Sequence, residues 1–287
     1  KDEADAVMAR IAGANEATVG TIEKKRRKSN PPAPFNTTSL MAAASSIGIK
    51  PARTMRIAES LYMNGYTSYP RVDNTVYPDN LDLREVLGIL AKVPDFREGA
   101  EELLAKNKLT ATRGKQETTD HPPIYPTGAA DPDKLRPEEW KLYSLICRRF
   151  MATLSEAAVL ESTKVTLDVA GEAFTARGDV LVEPGYRSVY PYGLKKDEQM
   201  PPLTEGQTLD FWDADCAHKQ TEPPARFSSG KLVQEMEAKG LGTKATRHDM
   251  IERLYSRHYI VNDPIEPTQL GIAIIDALEK FAEPITT

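Results

Sequence analysis

The segment Tyr69-Pro70-Arg71-Val72-Asp73 gathers a phenol, a guanidinium and a carboxylate within five residues. A tyrosine hydroxyl is one of the few protein groups able to attack phosphorus and keep the phosphate as a covalent intermediate. Free phenol titrates near 10, so only about one in a thousand is ionised at neutral pH. Such a nucleophile needs a neighbour that carries developing negative charge. Arg71 is that neighbour by type: permanently charged, forked and matched to phosphate oxygens. Asp73 is cast as an orienter of the arginine or of a nearby proton. By itself Tyr-x-Arg-x-Asp is also the composition of an ordinary surface turn.

Two further stretches carry chemistry. His121 stands in Asp120-His121-Pro122-Pro123-Ile124. A lone loop histidine is commonly a surface residue, but the two prolines that follow stiffen the chain and can aim the ring. In Gly240-Leu241-Gly242-Thr243-Lys244-Ala245-Thr246 the glycines bracket a tight turn. Backbone N–H groups at a helix start there could bind an anion. Lys239, Lys244, Arg247, His248, Arg253 and Arg257 surround it with cations, against the plain alternative of a solvated face.

The elements that must position these residues can be read from periodicity and punctuation. Residues 37–47 read as a helix with Thr37 or Thr38 at its N-cap. A second begins near Pro51 and ends at Gly65 in a left-handed conformation. Tyr69 then falls just past a helix-turn-helix-like pair, on a short connection held by a packed unit. Residues 2–14 read as the end of a helix and 18–23 as a strand. Residues 79–105 read as helical with a break at Pro94, 106–135 as an ordered loop, and 137–154 as a core helix. β-patterned runs fall at 158–169, 172–177, 180–182 and 207–213. Ser228 or Ser229 caps a further helix, Thr243 caps another through about Arg257, and Tyr259-Ile260-Val261 reads as a strand, an order like a winged helix.

The chain has 287 residues, 40% hydrophobic and 28% charged, which suits about two soluble globular domains. Its net charge of −5 argues against a uniformly cationic nucleic-acid binder. Local density matters more, because charges are screened beyond about 8 Å. Basic residues cluster at Lys24-Lys25-Arg26-Arg27-Lys28 and from Lys231 to Arg257, which suits a cationic groove on an acidic protein. Cys147 and Cys216 lie far apart without ligand spacing, so both read as reduced and no metal site is expected in this segment. No apolar run is long enough to span a membrane and residues 1–5 do not form a signal peptide, so the expectation is a cytoplasmic, nucleoid-associated protein with no membrane partner. The start looks like a helix met midway, and the chain reads as a fragment.

Gly65-Tyr66-Thr67-Ser68-Tyr69-Pro70-Arg71-Val72-Asp73-Asn74-Thr75-Val76-Tyr77-Pro78 resembles the active-site tyrosine motif of type IA DNA topoisomerases, in their archaeal and topoisomerase III-like branch. Three more stretches agree in the family's order. They are Pro32 to Leu40, which leads into the tyrosine-bearing domain, Asp120 to Thr127, and Pro223 to Ser229 with Gly240 to Thr246. The resemblance implies an α+β multidomain fold, a toroidal or arch-shaped type IA core with helix-turn-helix-like helical domains and an antiparallel β domain. The implied division is 1–17 as the end of a helical base, 18–30 with 155–215 as a β-rich hinge, 31–154 as the tyrosine-bearing helical domain, and 216–287 as an incomplete winged-helix-like DNA-binding domain.

It also implies the reaction. Tyr69 would cleave single-stranded DNA through a 5′-phosphotyrosyl link, without ATP, so that a strand can pass and negative supercoils relax. Arg71, His121 and Asp73 would serve catalysis, Ser68 would touch the scissile region, and Thr243, Lys244, Thr246 and Arg247 would grip the strand. Mg2+ would belong to a Toprim domain of the same polypeptide; no D-x-D-x-E cluster of that domain occurs here. The fragment is therefore expected to bind single-stranded DNA without relaxing supercoils. The chain departs from bacterial members at Val72, where they mostly have Thr, and at Thr243-Lys244, where they have Arg-Pro. Two rivals remain at this level. A non-catalytic helix-turn-helix DNA-binding protein gives the tyrosine segment no role. A tyrosine recombinase would place its tyrosine after the arginine and histidine.

Overall fold

The computed structural model describes residues 2–193 and 199–285. The chain divides into two compact units, one made of Lys1–Asn30, Glu156–Arg187 and Tyr192–Pro223, the other of Pro31–Ser155, Ser188–Pro191 and Pro224–Thr287.

The first unit holds helix α1 (Asp2–Ile11) and strands β1 (Glu16–Ser29), β2 (Ala158–Val169), β3 (Glu172–Glu183) and β4 (Thr208–Asp210). They form one antiparallel sheet in the order β3-β2-β1-β4. The first strand is longer than the 18–23 run predicts, because the basic stretch stays in the ladder. Arg26 sits opposite Glu161 and donates to it at 3.0 Å, and Lys24 sits opposite Thr163. The runs at 172–177 and 180–182 are one strand; Gly178 continues the ladder opposite Thr163. The run at 207–213 shortens to β4. Ala17 and Val19 face inward, and a small cluster of Ile11, Ala17 and Val169 with Phe174 and Phe211 closes one end.

The second unit is helical: α2 (Thr37–Ser46), α3 (Pro51–Met63), α4 (Leu83–Leu90), α5 (Pro94–Leu104), α6 (Pro137–Thr153), α7 (Ser229–Ala238), α8 (Arg247–Ser256) and α9 (Gln269–Phe281), with a short hairpin of β5 (Ile260–Val261) and β6 (Glu266–Pro267). The cap of α2 is Asn36, not Thr37 or Thr38. Its side chain accepts from the Ser39 amide at 2.9 Å, while the Ser39 hydroxyl accepts from the Asn36 amide at 3.0 Å. This frees both threonine hydroxyls for contacts across the unit. Pro51 opens α3, where its missing N–H costs nothing, and Gly65 ends it with φ of 75°. Helix α8 begins at Arg247 rather than Thr243. The Thr246 hydroxyl accepts from the Thr243 amide at 2.9 Å, so residues 243–246 form a separate turn before the helix.

Leu40, Ile57, Leu61, Leu87, Phe96, Tyr143 and Phe150 are buried in this unit. Each large apolar side chain of that kind contributes about 1.5–3 kcal/mol on burial. Met41, Met55, Val233 and Ile251 join α2, α3, α7 and α8 into one block. Gly230 lets α7 press on α2, since a Cβ there would meet the Ser45 Cβ at 2.6 Å. Among the described residues no helix is long and apolar enough to cross a membrane.

Candidate active site

The tyrosine loop is fixed by its backbone. The Thr37 hydroxyl accepts from the Val72 amide at 2.8 Å and lies 2.7 Å from the Pro70 carbonyl, and the Thr37 amide donates to the Val72 carbonyl at 3.0 Å. On the other side, the loop is zipped to the segment that carries His121. Ser68 N–H donates to the Tyr125 carbonyl at 2.9 Å, and its hydroxyl donates to Pro123 O and accepts from Tyr125 N–H, both at 3.0 Å. The Asn74 side chain donates to the carbonyls of Thr118 at 2.8 Å and His121 at 3.2 Å. Two loops 44 to 57 residues apart in sequence thus become one surface.

On that surface Tyr69 is half-buried. Its ring lies 4.8 Å from the His121 ring and 5.3 Å edge-on from Tyr62. His121 is exposed, so both rings can meet a ligand from solvent. Arg71 is held by Glu59 from α3: Nε donates at 2.9 Å to the oxygen that Nη2 also reaches. Its Nη1 points to the Ala245 carbonyl at 3.5 Å, inside the cationic turn. Glu59 escaped the sequence reading because nothing in the spacing of α3 says which carboxylate faces residue 71.

Lys244 bridges two carboxylates, with its ammonium 3.0 Å from Asp73 and 3.0 Å from Asp120. Burial works against the lysine charge, but the hydrogen bonds to Asp73 and Asp120 outweigh it and raise its pKa. The Thr118 hydroxyl, then Lys244 and the His121 amide, hold the Asp120 carboxyl well below the usual carboxylate range. Asp73 therefore meets Lys244, and the structure shows no bond from it to Arg71.

The remaining predicted residues divide. Thr243 and Thr246 are exposed, their hydroxyls 3.1 Å apart, on the same turn as Lys244. The Arg247 side chain is only 9% exposed, and its guanidinium donates to Leu241 O at 3.1 Å, Gly242 O and Glu237 at 3.3 Å and Thr38 at 3.4 Å. It braces the turn and presents no charge outward. Ser68 is 8% exposed, and its hydroxyl is engaged by backbone on both sides. Both residues were expected at the strand, and both instead hold up the residues that face solvent. Their chain neighbours, Thr67 and Tyr69 for Ser68 and Thr246 and His248 for Arg247, are polar and gave no hint of burial. Among the described residues no group of three or more His, Cys, Asp or Glu could hold a metal ion.

Comparison with known proteins bears on this geometry. The DNA topoisomerase family profile matches residues 1–287. DNA topoisomerase 1 of Archaeoglobus fulgidus is 43% identical over 286 residues, covering 100% of this chain and 42% of that protein. DNA topoisomerase 3-beta of Drosophila melanogaster is 34% identical and covers 98% of this chain and 32% of its own length. The solved structure of full-length topoisomerase I from Thermotoga maritima superposes with a TM-score of 0.75 at 26% identity, over 96% of this chain and 47% of that one. The chain thus spans less than half the length of these relatives.

Proposed function

The chain belongs to the DNA topoisomerase family, and we propose that it is the tyrosine-bearing part of a type IA enzyme that cuts and reseals single-stranded DNA. The observation that carries this reading is the half-buried Tyr69, its ring tilted at 51° and 4.8 Å from that of His121, with Arg71 fixed two residues on. The Tyr69 oxygen attacks a phosphodiester; the bond from phosphorus to the 3′ oxygen breaks as the bond to the phenol forms. The ester energy is kept, so the 3′ hydroxyl can reverse the step without ATP and negative supercoils relax between the two. Arg71 stabilises charge on the phosphate, and His121 holds the same group. Asp73 fixes Lys244 at the rim. Lys244, Thr243 and Thr246 meet the strand, while Ser68 and Arg247 position the elements that do.

The described residues offer Mg2+ no group of three or more His, Cys, Asp or Glu. A Toprim domain of the longer polypeptide would hold the ion and neutralise phosphate charge there. The chain alone is accordingly a single-strand binder that does not relax plasmids.

The test is covalent trapping on labelled single-stranded DNA by a polypeptide that joins this chain to its Toprim domain. A protein–DNA adduct is expected, and Tyr69→Phe abolishes it. An adduct that survives in Tyr69→Phe overturns the assignment. Preference of the isolated chain for duplex over an unstructured oligonucleotide would favour a non-catalytic helix-turn-helix reader, which the α7–α8 pair with its β5–β6 hairpin resembles.

A further inference from the structure

The last turn of α3 carries an aromatic ring that the packed core leaves uncovered. Met55 and Ala58 are buried, and Tyr62 follows them at the same helical spacing. Yet Tyr62 is 41% exposed, and Met63 beside it is more exposed still. The backbone there is fixed by the way the helix ends. The Gly65 amide donates to the Tyr62 carbonyl and the Tyr66 amide to the Leu61 carbonyl, both at 2.9 Å, and Gly65 at φ of 75° turns the chain. After that turn Tyr69 meets Tyr62. The two ring centres are 5.3 Å apart with their planes at 70°, an edge-on pairing that still leaves Tyr62 open to solvent.

Two features separate Tyr62 from an apolar residue scattered singly on a surface, which needs no explanation. Its ring is one end of a row, with the Tyr69 ring 5.3 Å away and the His121 ring a further 4.8 Å from Tyr69. Its hydroxyl bonds to no other described residue, so no polar contact accounts for its place. What it offers at the edge of the tyrosine site is the ring itself.

We infer that Tyr62 is a stacking platform for a nucleobase of the single strand, beside the phosphate that Tyr69 attacks. The inference rests on the role proposed above for Tyr69. A phosphodiester at the Tyr69 oxygen carries a nucleotide on either side, and Tyr62 is the exposed aromatic surface next to that oxygen's ring. Stacking reads the π-face that every base has, so the platform takes any base sequence. A duplex keeps its bases paired and stacked on one another, so it has no free face to give. The ring thereby favours unpaired strands at the point where the strand is cut.

The test is fluorescence anisotropy of the chain with a labelled oligothymidylate and with an abasic strand of the same length, which has every phosphate and no base. Low salt strengthens the phosphate contacts and keeps both complexes measurable. Tyr62→Ala is expected to weaken the thymidylate complex about tenfold and to leave the abasic complex unchanged. Tyr62→Phe restores thymidylate binding, and Tyr62→Leu, apolar without a π-face, does not. Thermal melts check that the variants stay folded. Equal thymidylate affinity of Tyr62→Ala and the parent overturns the platform and leaves the Tyr69 assignment standing. An equal loss on both strands also overturns it, because Tyr62 then acts only by seating Tyr69. A parent that binds neither strand overturns the platform and the single-strand reading together.

Discussion

Strand β1 and helix α6 are built on opposite terms. Two of the fourteen residues of β1 are buried, Ala17 and Val19, against ten of the seventeen in α6. The sheet of the first unit is held by its ladders and by cross-strand pairs such as Arg26 with Glu161, each pair contributing about 0.2–1 kcal/mol. The helical unit is held by burial around Phe35, Phe96, Tyr143 and Phe150, where one large side chain matters several times more. The unit that holds the Tyr69 ring against His121 and Tyr62 is the one with the packed interior. A half-exposed sheet tolerates change because few of its side chains have neighbours on every side.

The largest break in that contrast should come from Phe35→Ala. The ring is fully buried, lies 4.3 Å under the Arg149 guanidinium, and its carbonyl accepts from the Ile124 amide of the His121 segment. A loss of about 3–5 kcal/mol is expected in urea unfolding of the helical unit. Thr37→Val comes next: the Val72 amide loses its acceptor, at a cost of about 1–3 kcal/mol. Hydrogen exchange at Val72 should quicken, and unchanged protection there would show that the loop has other support.

Acid sharpens the comparison further. The Arg136 hydrogen bond holds the Glu139 carboxyl at about 2, below its ordinary 4.5. A depressed carboxyl adds stability above its unfolded pKa, and that stability is lost as pH falls through the folded value. The helical unit should therefore weaken between about pH 4.5 and 2, and Glu139→Gln should flatten that limb. Glu161 in the sheet is also lowered, chiefly by Arg26, but its side chain is 22% exposed against 9% for Glu139. Glu161→Gln should flatten the limb less; the reverse order would overturn the ranking by burial. The smallest effect belongs to Thr163→Ala, half-exposed between Lys24 and Gly178, at about 0.2–1 kcal/mol. A Thr163→Ala loss equal to that of Phe35→Ala would erase the distinction between the units.

Much of the fold was legible in local chemistry. Pro51 and Gly65 mark the bounds of α3, Pro94 divides α4 from α5, and the apolar spacing of 137–154 gives α6, because these signals act within a few residues. The cap of α2 lies one or two positions before the expected Thr37 or Thr38, since Asn36, Thr37 and Thr38 are all capping types and only the Ser39 reciprocity selects Asn36. The full length of β1 was not legible either: a run of five basic residues reads as a solvated strand end, and only the fold brings Glu161 and Asp179 to Arg26 and Arg27.

At the site, the order of residues along the chain determined which chemical groups exist: a phenol, a guanidinium two residues later, a histidine before two prolines, and a lysine after two turn glycines. Tertiary structure alone decided how they pair. It set Arg71 on Glu59, aimed Lys244 at both Asp73 and Asp120, and turned Ser68 and Arg247 inward. The reason is physical. Residue type and spacing fix what a side chain can do within about one turn of helix, whereas burial and ion pairing across more than a hundred residues depend on which surfaces the packed core brings together.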